Sequence, residues 1–227
     1  IWLTCYWPPL FKRPWLWAVL VGSAILTPAA ICFIQMPLQI WTGQALNHFW
    51  SQQTLVNWIL LAAIPSMLVT GLVQEGAKLV PVVAYWWRGD KRLDPKLGLV
   101  VGAIAGAGFA MLEAQWSHNQ MFAYGWRWEW VQSYGFVALL GFLERFFSVA
   151  AHVAFSALAG YGLAKGRGWQ FYLLVSFLHG LLNYGAVLWQ TGRLTEVHVE
   201  IYIGVLAMAL TAWALWLRWR KGTPELG

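Results

Sequence analysis

Residues 55–87 read LVNWILLAAIPSMLVTGLVQEGAKLVPVVAYWW and carry Gln74, Glu75 and Lys78 inside a run apolar enough to cross a bilayer. A charge at mid-membrane costs roughly 2.5–3.5 kcal/mol on insertion scales, so a span keeps one only where a partner or a task offsets that cost. Read as a single crossing, this run divides the loop cations unequally. Lys12, Arg13, Arg88, Lys91, Arg92, Lys96, Lys165, Arg167, Arg218, Arg220 and Lys221 fall on one side, and only Arg127 and Arg193 on the other. Eleven against two is the bias of a cytoplasmic over an outer face. Splitting the run into two short helices would carry residues 88–96 across the membrane and destroy that agreement. The spacing therefore predicts one crossing, its excess length absorbed by tilt or by a kink at Pro65 or Pro81.

Working outward, the 227-residue chain is 59% hydrophobic and 11% charged. Soluble domains carry about 25% charged residues, so the composition excludes an ordinary soluble protein. The expected fold is all-α: a polytopic helical bundle forming one integral-membrane domain over residues 1–227, with both termini cytoplasmic. Its six spans fall at about 15–36, 55–87, 97–116, 134–164, 169–190 and 198–219. Residues 37–54 and 117–133 read as outer loops, 88–96 as a basic cytoplasmic turn, and the tail GTPELG (222–227) as disordered. The net charge of +6 gathers at span ends, which points to the lipid bilayer as partner and not to nucleic acid. Cys5 and Cys32 have no metal-type spacing. The run 15–36 follows Lys12 and Arg13 as a signal peptide would, but exceeds the length of such a segment and reads as a retained helix.

Four spans hold polar groups that lipid would not tolerate. The third, LGLVVGAIAGAGFAMLEAQW, sets Gly98, Gly102 and Gly106 four residues apart, a pattern that lets helix backbones approach closely. Glu113 lies within roughly 20° of Gly102 and Gly106 on the helix wheel, so it faces other helices. The fourth span carries Glu144, Arg145 and His152. Glu144 and Arg145 are adjacent on a helix, so the spacing does not require them to pair; structural or substrate-guiding roles suit them best. In the fifth span His179 and Asn183 are i, i+4 neighbours able to present polar atoms to one point. Counted from the cytoplasmic ends, Lys78, His179, Glu75, His152, Asn183 and Glu113 occupy a layer between about 14 and 24 Å deep. Independent structural pairs have no reason to cluster in depth.

Two chemistries fit such a layer. A desolvated carboxylate can act as general base toward a water while His179 and Asn183 stabilise an oxyanion, with Lys78 orienting Glu75. Alternatively His152, His179 and one carboxylate hold zinc as a three-ligand set, the other carboxylate serving as base. No HExxH motif is present.

The ordered motifs resemble the PrsW-type and YhfC-type intramembrane proteases, a clan that includes the CAAX prenyl endopeptidases. QEGAK (74–78) is similar to the EExxK motif, GFAMLE (108–113) to FxxxE, ERFFSVAAHVAFS (144–156) to the segment bearing a histidine, and HGLLN (179–183) to HxxxD or HxxxN. The resemblance implies an endopeptidase of membrane-embedded or membrane-anchored protein and peptide substrates in a bacterial or archaeal cytoplasmic membrane. It implies a catalytic centre of Glu75, Glu113, His152, His179 and Asn183; Gln74, Lys78, Glu144 and Arg145 read as supporting residues around it. No cofactor is certain; zinc is the one in question, with Glu113, His152 and His179 as its ligands. Gln74 stands where the family places the first Glu of its pair. That departure keeps a non-catalytic scaffold of the same fold as the first alternative, and a small proton-coupled transporter is the second.

Overall fold

The computed structural model describes residues 1–88 and 94–220. Among these there are helices and turns and no strand, and six helical stretches are long and apolar enough to cross a membrane. The α-helices are α1 (Trp15–Ala30), α2 (Met36–Phe49), α3 (Gln52–Asn57), α4 (Ile59–Ala62), α5 (Ile64–Arg88), α6 (Pro95–Ala123), α7 (Trp128–Tyr134), α8 (Leu140–Ala164), α9 (Gly168–Gln190) and α10 (Glu196–Trp219).

The second apolar run gives one helical stretch long and apolar enough to cross a membrane, Ile59–Trp87, but it enters in pieces. Short helices α3 and α4 precede α5, with breaks at Trp58 and Ala63. Pro65 occupies the first turn of α5, where its missing N–H would have no partner anyway, so the break falls before it. Pro81 stays inside the helix.

Two expected loops are largely helical. Residues 37–54 contain α2, joined to α1 by a π-helical turn over Ile31–Gln35. The wider turn suits a stretch flanked by Pro28 and Pro37, and it aims Gln35 at α5, where its amide donates to Thr70 Oγ1 at 3.3 Å. Residues 117–133 hold the last turns of α6 and most of α7. The basic turn falls largely, and the GTPELG tail wholly, outside the described residues.

Helix α8 is the axis of the bundle. Its residues from Ala150 to Gly162 are all buried, and it packs against α6, α9 and α10. Small residues allow this. A Cβ at Gly102 would run into the Ser156 carbonyl, and one at Gly106 into the His152 carbonyl, so the backbones of α6 and α8 touch where the sequence places its glycine stripe. A second glycine crossing joins α5 to α9, where a Cβ at Gly71 would strike the Ser176 carbonyl. Helix α1 leans on α5 and α6. These crossings bring Glu75 of α5 against His179 of α9, and Glu113 of α6 against His152 of α8. Large apolar side chains such as Phe33, Leu72, Val80, Phe177 and Ile201 remain exposed on the outside, as a lipid-facing surface requires.

At one end of the bundle Arg218 Nε donates to the Tyr6 carbonyl and Trp219 Nε1 to that of Cys5. The N-terminal segment and the end of α10 therefore share a face, as an even number of crossings demands.

Candidate active site

Glu75 and Lys78 lie one turn apart on α5, and neither has accessible side-chain surface. Glu75 Oε1 takes two partners: Lys78 Nζ at 2.5 Å and His179 Nδ1 at 2.6 Å. The ammonium compensates the hydration the carboxylate has lost, which is the condition for keeping either charge in a dry interior. Lys78 Nζ also lies 3.1 Å from His152 Nδ1, and His152 Nε2 lies 2.7 Å from Glu113 Oε2. A lysine ammonium only donates. His152 Nδ1 is then the acceptor, and Nε2–H donates to Glu113. His179 donates Nδ1–H to Glu75 by the same logic, leaving its Nε2 with a lone pair. Each glutamate thereby fixes the tautomer of one histidine, the arrangement by which carboxylates orient metal-binding imidazoles.

Aromatic rings wall this chain of bonds. Phe155 stacks on His179 with ring centroids 5.5 Å apart, and Phe109 meets His152 edge-on at 5.0 Å. The two histidine rings are themselves 5.0 Å apart. Such walls exclude water and strengthen each polar contact inside them.

Beyond Glu113 the site opens. The Glu113 side chain is 30% exposed, and Arg145 Nη1 lies 3.6 Å from Glu113 Oε2. Arg145 also forms a two-pronged pair with Glu144, which in turn accepts from Ser148 Oγ at 2.7 Å. Helix spacing left that pairing open; the long guanidinium arm folds back along the helix to reach its neighbour. Asn183 is half-buried one turn from His179 and makes no side-chain hydrogen bond among the described residues. It lines a cavity of about 550 Å³ together with Glu144 and Arg145. Five of the six residues in the expected layer are thus linked in one chain of polar contacts, and Asn183 stands apart from it.

Gln74 is turned the other way. Its Nε2 donates to Gln35 Oε1 at 3.1 Å, joining a polar seam in which Gln39 Nε2 donates to Ser66 Oγ and Thr70 Oγ1, each at 3.0 Å. The seam ties α5 to the first span.

Donor atoms of Glu75, His152 and His179 all lie within 4.8 Å of one another, and the three residues could hold a metal ion. The trio expected from sequence had Glu113 in place of Glu75. Glu113 sits on the far side of the His152 ring and is engaged by it. The donor types fit a divalent metal of the zinc kind, and Glu75 Oε2 is a buried acceptor with no hydrogen-bond partner among the described residues. His152 has both ring nitrogens engaged, so it offers a lone pair only where Lys78 or Glu113 yields one.

The model of the PrsW family of intramembrane metalloproteases matches residues 12–214, nearly the whole chain. The chain belongs to the PrsW family. No curated protein and no solved structure matches it. Membership of the PrsW family makes this an integral membrane protein of the intramembrane protease class, and the six apolar helices agree. Within this PrsW-family chain, reading the sequence missed two acidic residues of α10, Glu196 and Glu200, which line the cavity beside Asn183. Glu200 carried a usable signal, an acidic residue inside the sixth apolar span. Gln35, the partner of Gln74, carried none, because an amide near a span end is unremarkable in a sequence.

Proposed function

We propose that the protein hydrolyses peptide bonds of membrane-embedded or membrane-anchored substrates at a centre formed by Glu75, His152 and His179, with Glu113 as the proton acceptor. The observation that carries this reading is the convergence of the three donor groups inside the bundle of a PrsW-family chain. These residues would hold zinc. When bound, such a metal polarises a carbonyl and makes its water a nucleophile near neutral pH.

The rest falls to the chain itself. Glu75 fixes the His179 tautomer through Oε1 and keeps Oε2 free. Lys78 neutralises Glu75 and so lets a carboxylate persist in a dry interior. Glu113, the more open carboxylate, takes the proton from the attacking water at a carboxylate oxygen and returns it to the leaving amine. Arg145 sets a positive charge beside Glu113, and Phe109 and Phe155 keep bulk water from the histidines.

The test is proteolysis of single-span peptides by the purified protein in lipid nanodiscs, before and after chelation and after zinc is restored. The account expects cleavage that chelation abolishes and zinc recovers. Cleavage indifferent to chelation would replace it with a glutamate-activated water. The absence of cleavage by a metal-loaded, folded protein across a broad peptide panel would favour the scaffold.

A further inference from the structure

The cavity beside the site has a charge imbalance that the proposed chemistry does not use. It lies between α8, α9 and α10, with Met67 of α5 at its edge. Three carboxylates line it, those of Glu144, Glu196 and Glu200, against the single guanidinium of Arg145. That guanidinium is already committed to Glu144 and lies near Glu113. Glu200 is the informative member. Only 7% of its surface is exposed, and its Oε2 is buried with no hydrogen-bond partner among the described residues. No Lys, Arg or His among the described residues pairs with it or with Glu196. A buried carboxylate oxygen without a donor is costly to keep, and a hydrogen-bonding cation is the partner that removes the cost.

We infer that this cavity is a recognition subsite for a basic side chain of the substrate polypeptide, with Glu200 as its principal acceptor and Glu196 at its mouth. The inference rests on the protease reading above and names its substrate class. The size fits: about 550 Å³ holds a lysine or arginine side chain with its neighbours. The position fits as well. Asn183, on the cavity wall, is one helical turn of about 5–6 Å from His179, and Arg145 links the cavity to Glu113. A substrate strand rising about 3.3 Å per residue would then place its basic residue within a few positions of the cleaved bond. The apolar walls, Leu182, Val199 and Ile203, suit the methylene stem of such a side chain.

The experiment measures binding and cleavage side by side. Labelled single-span peptides, each with one lysine moved stepwise along the sequence, are titrated against the full chain in phosphatidylcholine nanodiscs. Matched peptides carry methionine or N-acetyl-lysine at the same position. At one register the lysine peptide binds about tenfold or more tightly than both matched peptides. Glu200→Gln removes most of that ratio, Glu200→Asp retains part of it, and Glu196→Gln lowers it about two- to threefold. The N-acetyl-lysine comparison is made on the unaltered protein, so it holds even if a Glu200 variant fails to fold. Equal binding of lysine and acetyl-lysine peptides at every register would overturn the inference, as would a lysine preference that survives Glu200→Gln. A preference in binding without cleavage leaves the subsite standing and removes the protease reading. Cleavage without the preference does the reverse.

Discussion

The two glutamate–histidine pairs are built alike and placed differently. Each joins neighbouring helices across a glycine-lined crossing, α5 to α9 for Glu75–His179 and α6 to α8 for Glu113–His152. Glu75 is sealed, shares one oxygen between Lys78 and His179, and keeps its other oxygen unbonded. Glu113 is 30% exposed and looks toward Arg145 and the acidic cavity. A sealed carboxylate with a free oxygen suits a fixed ligand. An open carboxylate beside a guanidinium suits a group that must meet substrate and water. Lys78 bridges the pairs, touching Glu75 and His152 together, so the two halves are coupled electrostatically.

The largest effect should follow from removing the sealed charge. Glu75→Gln, which keeps shape and loses the ligand, should lower the cleavage rate by at least about 10⁴-fold, measured on a single-span peptide. Glu113→Gln should cost about 10²–10³-fold in the same assay and leave metal content intact. Equal losses of both rate and metal in the two variants would break the distinction between the pairs.

A stability measurement sharpens the comparison further. Lys78→Met strands Glu75 in the interior and should cost about 3–5 kcal/mol, seen as a clear fall in melting temperature in detergent. Adding Glu75→Gln to that variant should recover part of the loss. A double variant no more stable than Lys78→Met alone would mean the two side chains are not an energetic pair. The smallest effect is expected on the far side of α5. Gln74→Leu removes the bond to Gln35 and should cost about 1 kcal/mol while changing the rate less than about threefold. A collapse of activity there would place Gln74 in the chemistry.

Much of this arrangement was legible in the sequence because lipid makes polar residues conspicuous. Glu75, Lys78, Glu113, His152 and His179 stand out in apolar runs, and shared depth along the helices brought them to one layer. The glycine stripe at Gly98, Gly102 and Gly106 announced a close helix contact, and the structure gives α8 as the partner, since only a missing Cβ admits a carbonyl that close. Depth, however, does not give azimuth. It put Glu113 and Glu75 in one layer without saying whose donor atoms would lie close to both histidines, and in the structure those of Glu75 do. The i, i+4 spacing allowed Asn183 and His179 to present polar atoms to one point; in the structure Asn183 lines the cavity. Spacing left open whether Arg145 and Glu144 pair, and they do, because a long flexible arm is not bound by where its Cβ points. The helix over Met36–Phe49 was hidden by Pro37 and by polar residues whose bonds to α5 appear only once the two helices are packed.

The most direct test of the account is the metal content of the purified protein by mass spectrometry, for the unaltered chain and for Glu75→Gln, His152→Ala, His179→Ala and Glu113→Gln. The account predicts about one zinc per chain, lost in the first three variants and retained in Glu113→Gln. Zinc retained in Glu75→Gln but lost in Glu113→Gln would contradict it and return the site to the other glutamate.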